Sequence, residues 1–178
     1  MSETICCGED RETGQTMEDV SCNICGGDDA RQLFELELYD TVFSVKRCQS
    51  CGLVYLNPRP TSSELDGYYS QVYNYSGFLK SKDSIKQRCW VDIELIQRYK
   101  KRGNLLEVGC MFGFLLDQAR QHGYNSYGVE ISKQAAEYAK DTLDLDVHNG
   151  RLEESSFGDR FLDVVFLSHL IEHLEDPS

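Results

Sequence analysis

The chain has 178 residues, 40% of them hydrophobic, and its 18 basic side chains against 30 acidic ones give a formal charge of -12. That is enough apolar material for one ordinary domain or two small ones, while the charge repels phosphate backbones and anionic lipid and so argues against a nucleic-acid or membrane partner. No run reaches the roughly 18 to 20 apolar residues of a membrane span, and no basic segment followed by an apolar stretch opens the chain. A soluble protein of the cytoplasm is expected.

Residues 1–20 are polar, acidic and aperiodic, which predicts a disordered acidic tail. Residues 21–60 hold two Cys-x-x-Cys pairs, Cys22/Cys25 and Cys48/Cys51. Without a secretion signal such pairs indicate metal binding in a reducing compartment, not disulfides. Four soft thiolates suit a tetrahedral zinc site, with rubredoxin-like iron and unligated thiols as the alternatives. Zinc held by four protein ligands has no open position, so its expected role is structural. Gly26 and Gly52 follow the two pairs and are expected to turn the backbone at positive φ. Between the pairs, residues 33–38 alternate apolar and acidic side chains as a strand does, which suits a small ribbon. Cys6, Cys7, Cys89 and Cys110 have no partner in this pattern and read as ordinary thiols.

Residues 61–102 read as a helical connector. Ser62, Ser63 and Glu64 are a capping pattern after Pro58 and Pro60, and residues 84–101 repeat apolar side chains at helical spacing through Ile85, Cys89, Val91, Leu95, Ile96 and Tyr99. From there strands and helices alternate: strand 105–108, helix 114–121, strand 126–131, helix 133–143, a short strand near Val147, and the apolar run 161–167. This order predicts an α/β fold with a parallel sheet.

The segment from Leu105 to Gly113 runs from strand through glycine loop into helix. A dinucleotide fingerprint needs glycine at positions 109, 111 and 114, and Met111 and Phe114 break it. Glu107, Gly109 and Gly113 instead resemble motif I of class I S-adenosylmethionine-dependent methyltransferases, with Met111 in place of the middle glycine. The resemblance continues through Glu130, 21 residues beyond Gly109, through Gly150 to Glu153, and through the run 161–166. Residues 47–60 are also similar to the cysteine-pair leader that precedes many such domains. The resemblance implies a Rossmann-like sheet represented by its first four parallel strands in residues 103–178, behind a small four-cysteine zinc ribbon. It further implies S-adenosylmethionine as cofactor, held by Glu107, Gly109, Gly113, Glu130, Leu152 and Glu153, and a small-molecule methyl acceptor. The last three strands of the family's sheet have no counterpart, so the domain reads as truncated, with a fourth strand open to pairing with another chain.

Residues 168–174 carry His169, Glu172 and His173 at spacings that share one face of a helix. His-x-x-Glu-His is also a zinc-protease signature, but only five residues follow His173, leaving no room for a further ligand and scaffold. Residues 171–177 are similar to a string beside the family's methyl-transfer site, and His169 is the candidate general base, with capping and packing as the alternative. Two function classes follow: methyl transfer to a small molecule, or a non-catalytic zinc-binding or cofactor-binding fragment.

Overall fold

The computed structural model describes residues 16–38, 41–71 and 75–174. The described residues divide into two compact units, one up to Tyr68 and the other from Tyr69 onward.

In the first unit, β2 (Ala30–Leu38), β3 (Thr41–Cys48) and β4 (Val54–Leu56) form an antiparallel meander. Ahead of it β1 (Met17–Glu18) pairs with β5 (Arg59–Pro60), and a 2.9 Å ion pair joins Glu18 to Arg59. Residues 17–18 therefore belong to a sheet, although they lie in the stretch expected to be a disordered tail; residues 1–15 of that stretch are outside the described residues. A bulge between Gln32 and Phe34 interrupts the alternation read from 33–38. The apolar residues Leu33, Phe34 and Leu36 stay largely exposed. Helix α1 (Ser62–Gln71) begins in this unit, with Glu64 accepting from the Thr16 amide.

In the second unit, α2 (Tyr75–Lys80) and α3 (Lys82–Tyr99) precede β6 (Gly103–Val108), α4 (Phe114–Gln121), β7 (Tyr124–Glu130), α5 (Lys133–Leu143), β8 (Asp146–Asn149) and β9 (Val164–Leu167). The four strands are parallel in the order β8-β7-β6-β9. Both α4 and α5 occupy the residues their apolar spacing predicts. Ser132 caps α5 by accepting from the Ala135 amide, and Asp144 ends it in the left-handed conformation.

Period-two alternation sends Leu105 and Leu106 to opposite faces of β6. Leu105 joins a large cluster with Leu116, Phe112 and Phe114, and Leu106 joins a smaller one with Val108 and Val129. Cys89, Ile93 and Ile96 of α3 lie in the large cluster. So α3, read from sequence as part of a connector, packs into the α/β core. Its buried face also differs from the expected one, since Val91, Leu95 and Tyr99 are exposed. At the amino ends of the strands, Asp163 accepts from the Asn104 amide at 2.9 Å and pairs with Lys100 at 2.8 Å, tying the start of β9 to the start of β6.

Candidate functional site

A sheet ordered β8-β7-β6-β9 reverses direction of winding beside β6, and ligands of open α/β sheets bind at the carboxyl ends of the strands at such a switch. At that place the loop after β6 carries three left-handed residues within five positions: Gly109 (φ 73°), Met111 (φ 48°) and Gly113 (φ 72°). The amides of Gly109 and Cys110 both donate to the Val129 carbonyl, which anchors the loop to β7. A Cβ at Gly113 would lie 2.5 Å from Leu145 Cδ1 and 3.1 Å from Ala139 Cβ, so only glycine lets the loop settle there. Met111 adopts the positive φ that the middle glycine normally supplies, and its side chain packs on the large core cluster.

Two carboxylates flank this loop. Glu130 ends β7, and its two oxygens accept separately from the Met111 amide at 2.8 Å and the Ser132 amide at 2.7 Å. Burial pushes its carboxyl above the usual glutamate range against the pull of those amides. Each oxygen keeps a second lone pair for a further donor. Glu107, one strand over in β6, is buried, and its Oε2 has no hydrogen-bond partner. Burial first, then the charges of Glu130 and Asp92, raise it well above the ordinary value. An orphaned buried carboxylate oxygen, a second carboxylate with spare acceptor capacity and a left-handed loop form a cradle of the kind that a ligand with hydroxyl and ammonium donors fits.

In the first unit the four cysteine sulfurs lie within 4.8 Å of one another, with Cys22 and Cys51 at 3.5 Å and Cys25 and Cys48 at 3.6 Å. A zinc–sulfur bond of about 2.3 Å implies sulfur–sulfur edges of about 3.8 Å, so the donor set fits a tetrahedral ion. The two knuckles are built alike. The Cys22 amide donates to the Gly27 carbonyl and the Cys48 amide to that of Leu53, and the amides of Gly26 and Gly52 return to the carbonyls of Cys22 and Cys48. Gly26 and Gly52 both take positive φ, as expected. Backbone amides, led by that of Cys51, pull the Cys48 thiol down to about 6. For Cys25 the Gly27 amide lowers the thiol, but its hydrogen bonds with Cys48 and Cys51, with desolvation, push it up to about 12. Metal binding would replace these thiol protons, so ion and protons compete for the four sulfurs.

Residues 106–178 match the family described as a methyltransferase domain. Over this segment the chain is similar to methyltransferase domains. Among solved structures, the plantazolicin methyltransferase BpumL in complex with SAH aligns at 16% identity and a TM-score of 0.50, over 64% of this chain and 48% of that one. A SAM-dependent methyltransferase from Archaeoglobus fulgidus aligns at 25% identity and TM-score 0.48, over 57% and 47% of the two chains. Another from Mesorhizobium loti aligns at 18% identity and TM-score 0.42, over 49% and 42%. The chain spans about half the length of the solved structures it matches. None of the curated proteins matches it.

Within the methyltransferase segment, the structure brings Glu107, Gly109, Gly113 and Glu130 together at the carboxyl ends of β6 and β7. Leu152 and Glu153 sit on an exposed 3-10 turn, Leu152–Glu154, that follows β8. There Glu154, which the sequence did not single out, accepts from the Arg151 amide at 2.8 Å and holds the turn. The helix expected over 168–174 does not form. His169 takes φ 52°, which ends any helix, and only the 3-10 turn Ile171–His173 remains. His169 and Glu172 come within 3.7 Å, with the His169 side chain 87% exposed. Among the described residues, the cysteine quartet is the sole group of three or more donors close enough to hold a metal ion. Asp92 of α3 was missed. Burial raises its carboxyl, Arg88 and His169 draw it down, and it raises Glu107 in turn. Its only sequence signal was its place beside Ile93 on a helix not recognised as part of this core. No helix among the described residues is long and apolar enough to cross a membrane.

Proposed function

We propose that the second unit binds S-adenosylmethionine and serves methyl transfer to a small-molecule acceptor, and that zinc holds the first unit's fold. The observation that carries this reading is the left-handed loop bracketed by the buried carboxylates Glu107 and Glu130 at the switch point of the sheet. When bound, S-adenosylmethionine would supply an electrophilic sulfonium methyl for attack by a substrate oxygen, nitrogen or carbon, with the neutral thioether S-adenosylhomocysteine as leaving group. Glu130 offers its spare lone pairs to ribose hydroxyls, and Glu107 offers its orphaned oxygen to a donor of the same ligand. Gly109 and Gly113 shape the loop, and Leu152 and Glu153 are the residues that would hold the adenine. His169, exposed after β9, takes the proton from the acceptor. Cys22, Cys25, Cys48 and Cys51 hold the zinc in residues 21–60, and residues 103–178 supply the cofactor-binding half. The acidic charge supports a small acceptor over a nucleic acid, and reduced thiols suit the cytoplasm.

Isothermal titration of the zinc-loaded chain with S-adenosylmethionine tests the reading. Saturable heat that falls at least about tenfold in affinity in Glu130→Gln supports it, since losing one charge-assisted pair costs at least that much. No heat with one zinc bound sinks the enzyme reading and leaves a zinc-binding fragment. That second reading is favoured by Met111 in the left-handed loop, where the family carries glycine. Loss of methyl transfer but not of cofactor binding in His169→Gln would place that side chain in the proton transfer. Strand β9 forms a sheet edge with Val165 and Leu167 exposed, which supports pairing with another chain; sedimentation of the chain at rising concentration checks it.

A further inference from the structure

In a chain with thirty acidic side chains, two neighbouring arginines have no carboxylate partner among the described residues. Arg31 of β2 and Arg47 of β3 stand directly opposite in the antiparallel register. Like charges across a ladder repel, so the arrangement costs stability in the free protein. Among the described residues neither guanidinium has an ion pair or a side-chain hydrogen bond, and neither donates to a cysteine sulfur. Both line one cavity of about 390 Å³, with Leu33, Gln49, Cys51 and Gly52 on its other walls. The Arg47 guanidinium lies over Gly52, where a Cβ would be 3.5 Å from Nη2.

We propose that this cavity on the cysteine module binds the phosphoryl group of a small phosphate monoester. Two guanidiniums offer planar forks of N–H donors that match a tetrahedral dianion, and the ligand's two charges cancel the repulsion between them. The Gln49 amide adds a neutral donor or acceptor at the wall. The chain's charge of -12 turns extended polyanions away, and two arginines match the charge of a single phosphoryl dianion. The site does not depend on whether the second unit transfers methyl groups.

The test is a titration of the full zinc-loaded chain with methyl phosphate and, separately, inorganic phosphate, at constant ionic strength, followed by the NMR signals of the arginine Nε–H groups and the Gly52 amide. Saturable shifts at Arg31, Arg47 and Gly52 are expected, with methyl phosphate bound at least as tightly as inorganic phosphate. Arg31→Gln and Arg47→Gln should each weaken binding about tenfold or more while one zinc stays bound, and Arg47→Lys should weaken it less. Shifts that grow linearly without saturation in the wild-type chain overturn the proposal. Unchanged affinity in the zinc-retaining double variant does the same, and a tenfold preference for free phosphate overturns the esterified ligand. Should the glutamine variants lose zinc, the wild-type titration against chloride at equal ionic strength still decides, because a diffuse cationic patch would respond equally to both anions.

Discussion

Among the described residues of the first unit, only Cys22 and Cys48 are buried, whereas the second unit buries aromatic, aliphatic and small side chains on both faces of its sheet. Leu33, Phe34 and Leu36 of β2 and Val54 and Leu56 of β4, by contrast, are exposed. A small ribbon with no apolar interior needs another source of cohesion, and the convergence of four thiols supplies one. The second unit has a packed core and can spend local strain, as at Met111, on the loop after β6. One region is held at a point and the other by a volume.

The largest expected effect tests that contrast. Removing the metal, or replacing Cys48 by serine, should abolish amide protection across β2 to β4 and leave that of β6 to β8 in place. Structural zinc sites contribute about 10–16 kcal/mol of apparent binding energy in small domains, well above what this ribbon can recover from packing. Hydrogen exchange reads both units at once; equal loss in both would break the comparison.

Next comes the volume-held side. Phe112 is among the largest fully buried side chains and touches Phe78, Phe114 and Tyr138. Phe112→Ala should cost about 3–5 kcal/mol by denaturant unfolding of the second unit, and should not change the zinc content. Gly113→Ala should cost about 1–3 kcal/mol, from a left-handed alanine and the shift it forces on Leu145.

A smaller and pH-dependent effect belongs to Glu107. Burial holds its folded carboxyl well above the ordinary 4.5, so the stability it contributes is fully present below 4.5 and is lost as pH rises through the folded value. The melting temperature of Glu107→Gln should therefore climb relative to the wild type as pH increases. A constant difference across that range would show that the carboxyl is not held protonated. Smallest of all, Met111→Gly should be close to neutral in stability, because relief of a left-handed side chain, about 1 kcal/mol, offsets lost packing and a more flexible unfolded chain. Thermal unfolding checks this, and a rise in S-adenosylmethionine affinity in the same variant would show that Met111 obstructs the loop.

Much of this arrangement was legible in the amino-acid sequence. The two cysteine knuckles follow from spacing plus glycine, and α4 and α5 from apolar periodicity, since each is a local pattern with a local cause. Strand β7 begins two residues earlier than its apolar run because Tyr124 and Asn125 pair with Gly103 and Asn104, a long-range register that composition does not carry. The buried face of α3 was misread because Val91, Leu95 and Tyr99 look as apolar as Cys89, Ile93 and Ile96; only the neighbours of each decide which are covered. The helical spacing of His169, Glu172 and His173 gave way to a single left-handed residue. Asp92 and Arg31 were invisible because each acquires its meaning from a strand or helix distant in the chain.

The likeness of the two knuckles has a consequence for reactivity. In each pair the first cysteine is buried and the second exposed: Cys22 and Cys48 lie inside, Cys25 and Cys51 outside. An alkylating agent, an oxidant or a competing chelator therefore meets one sulfur from each hairpin at a single surface. Attack from that side would reach Cys25 and Cys51 before Cys22 and Cys48, and an ion delivered by another thiol carrier would meet the same two sulfurs first.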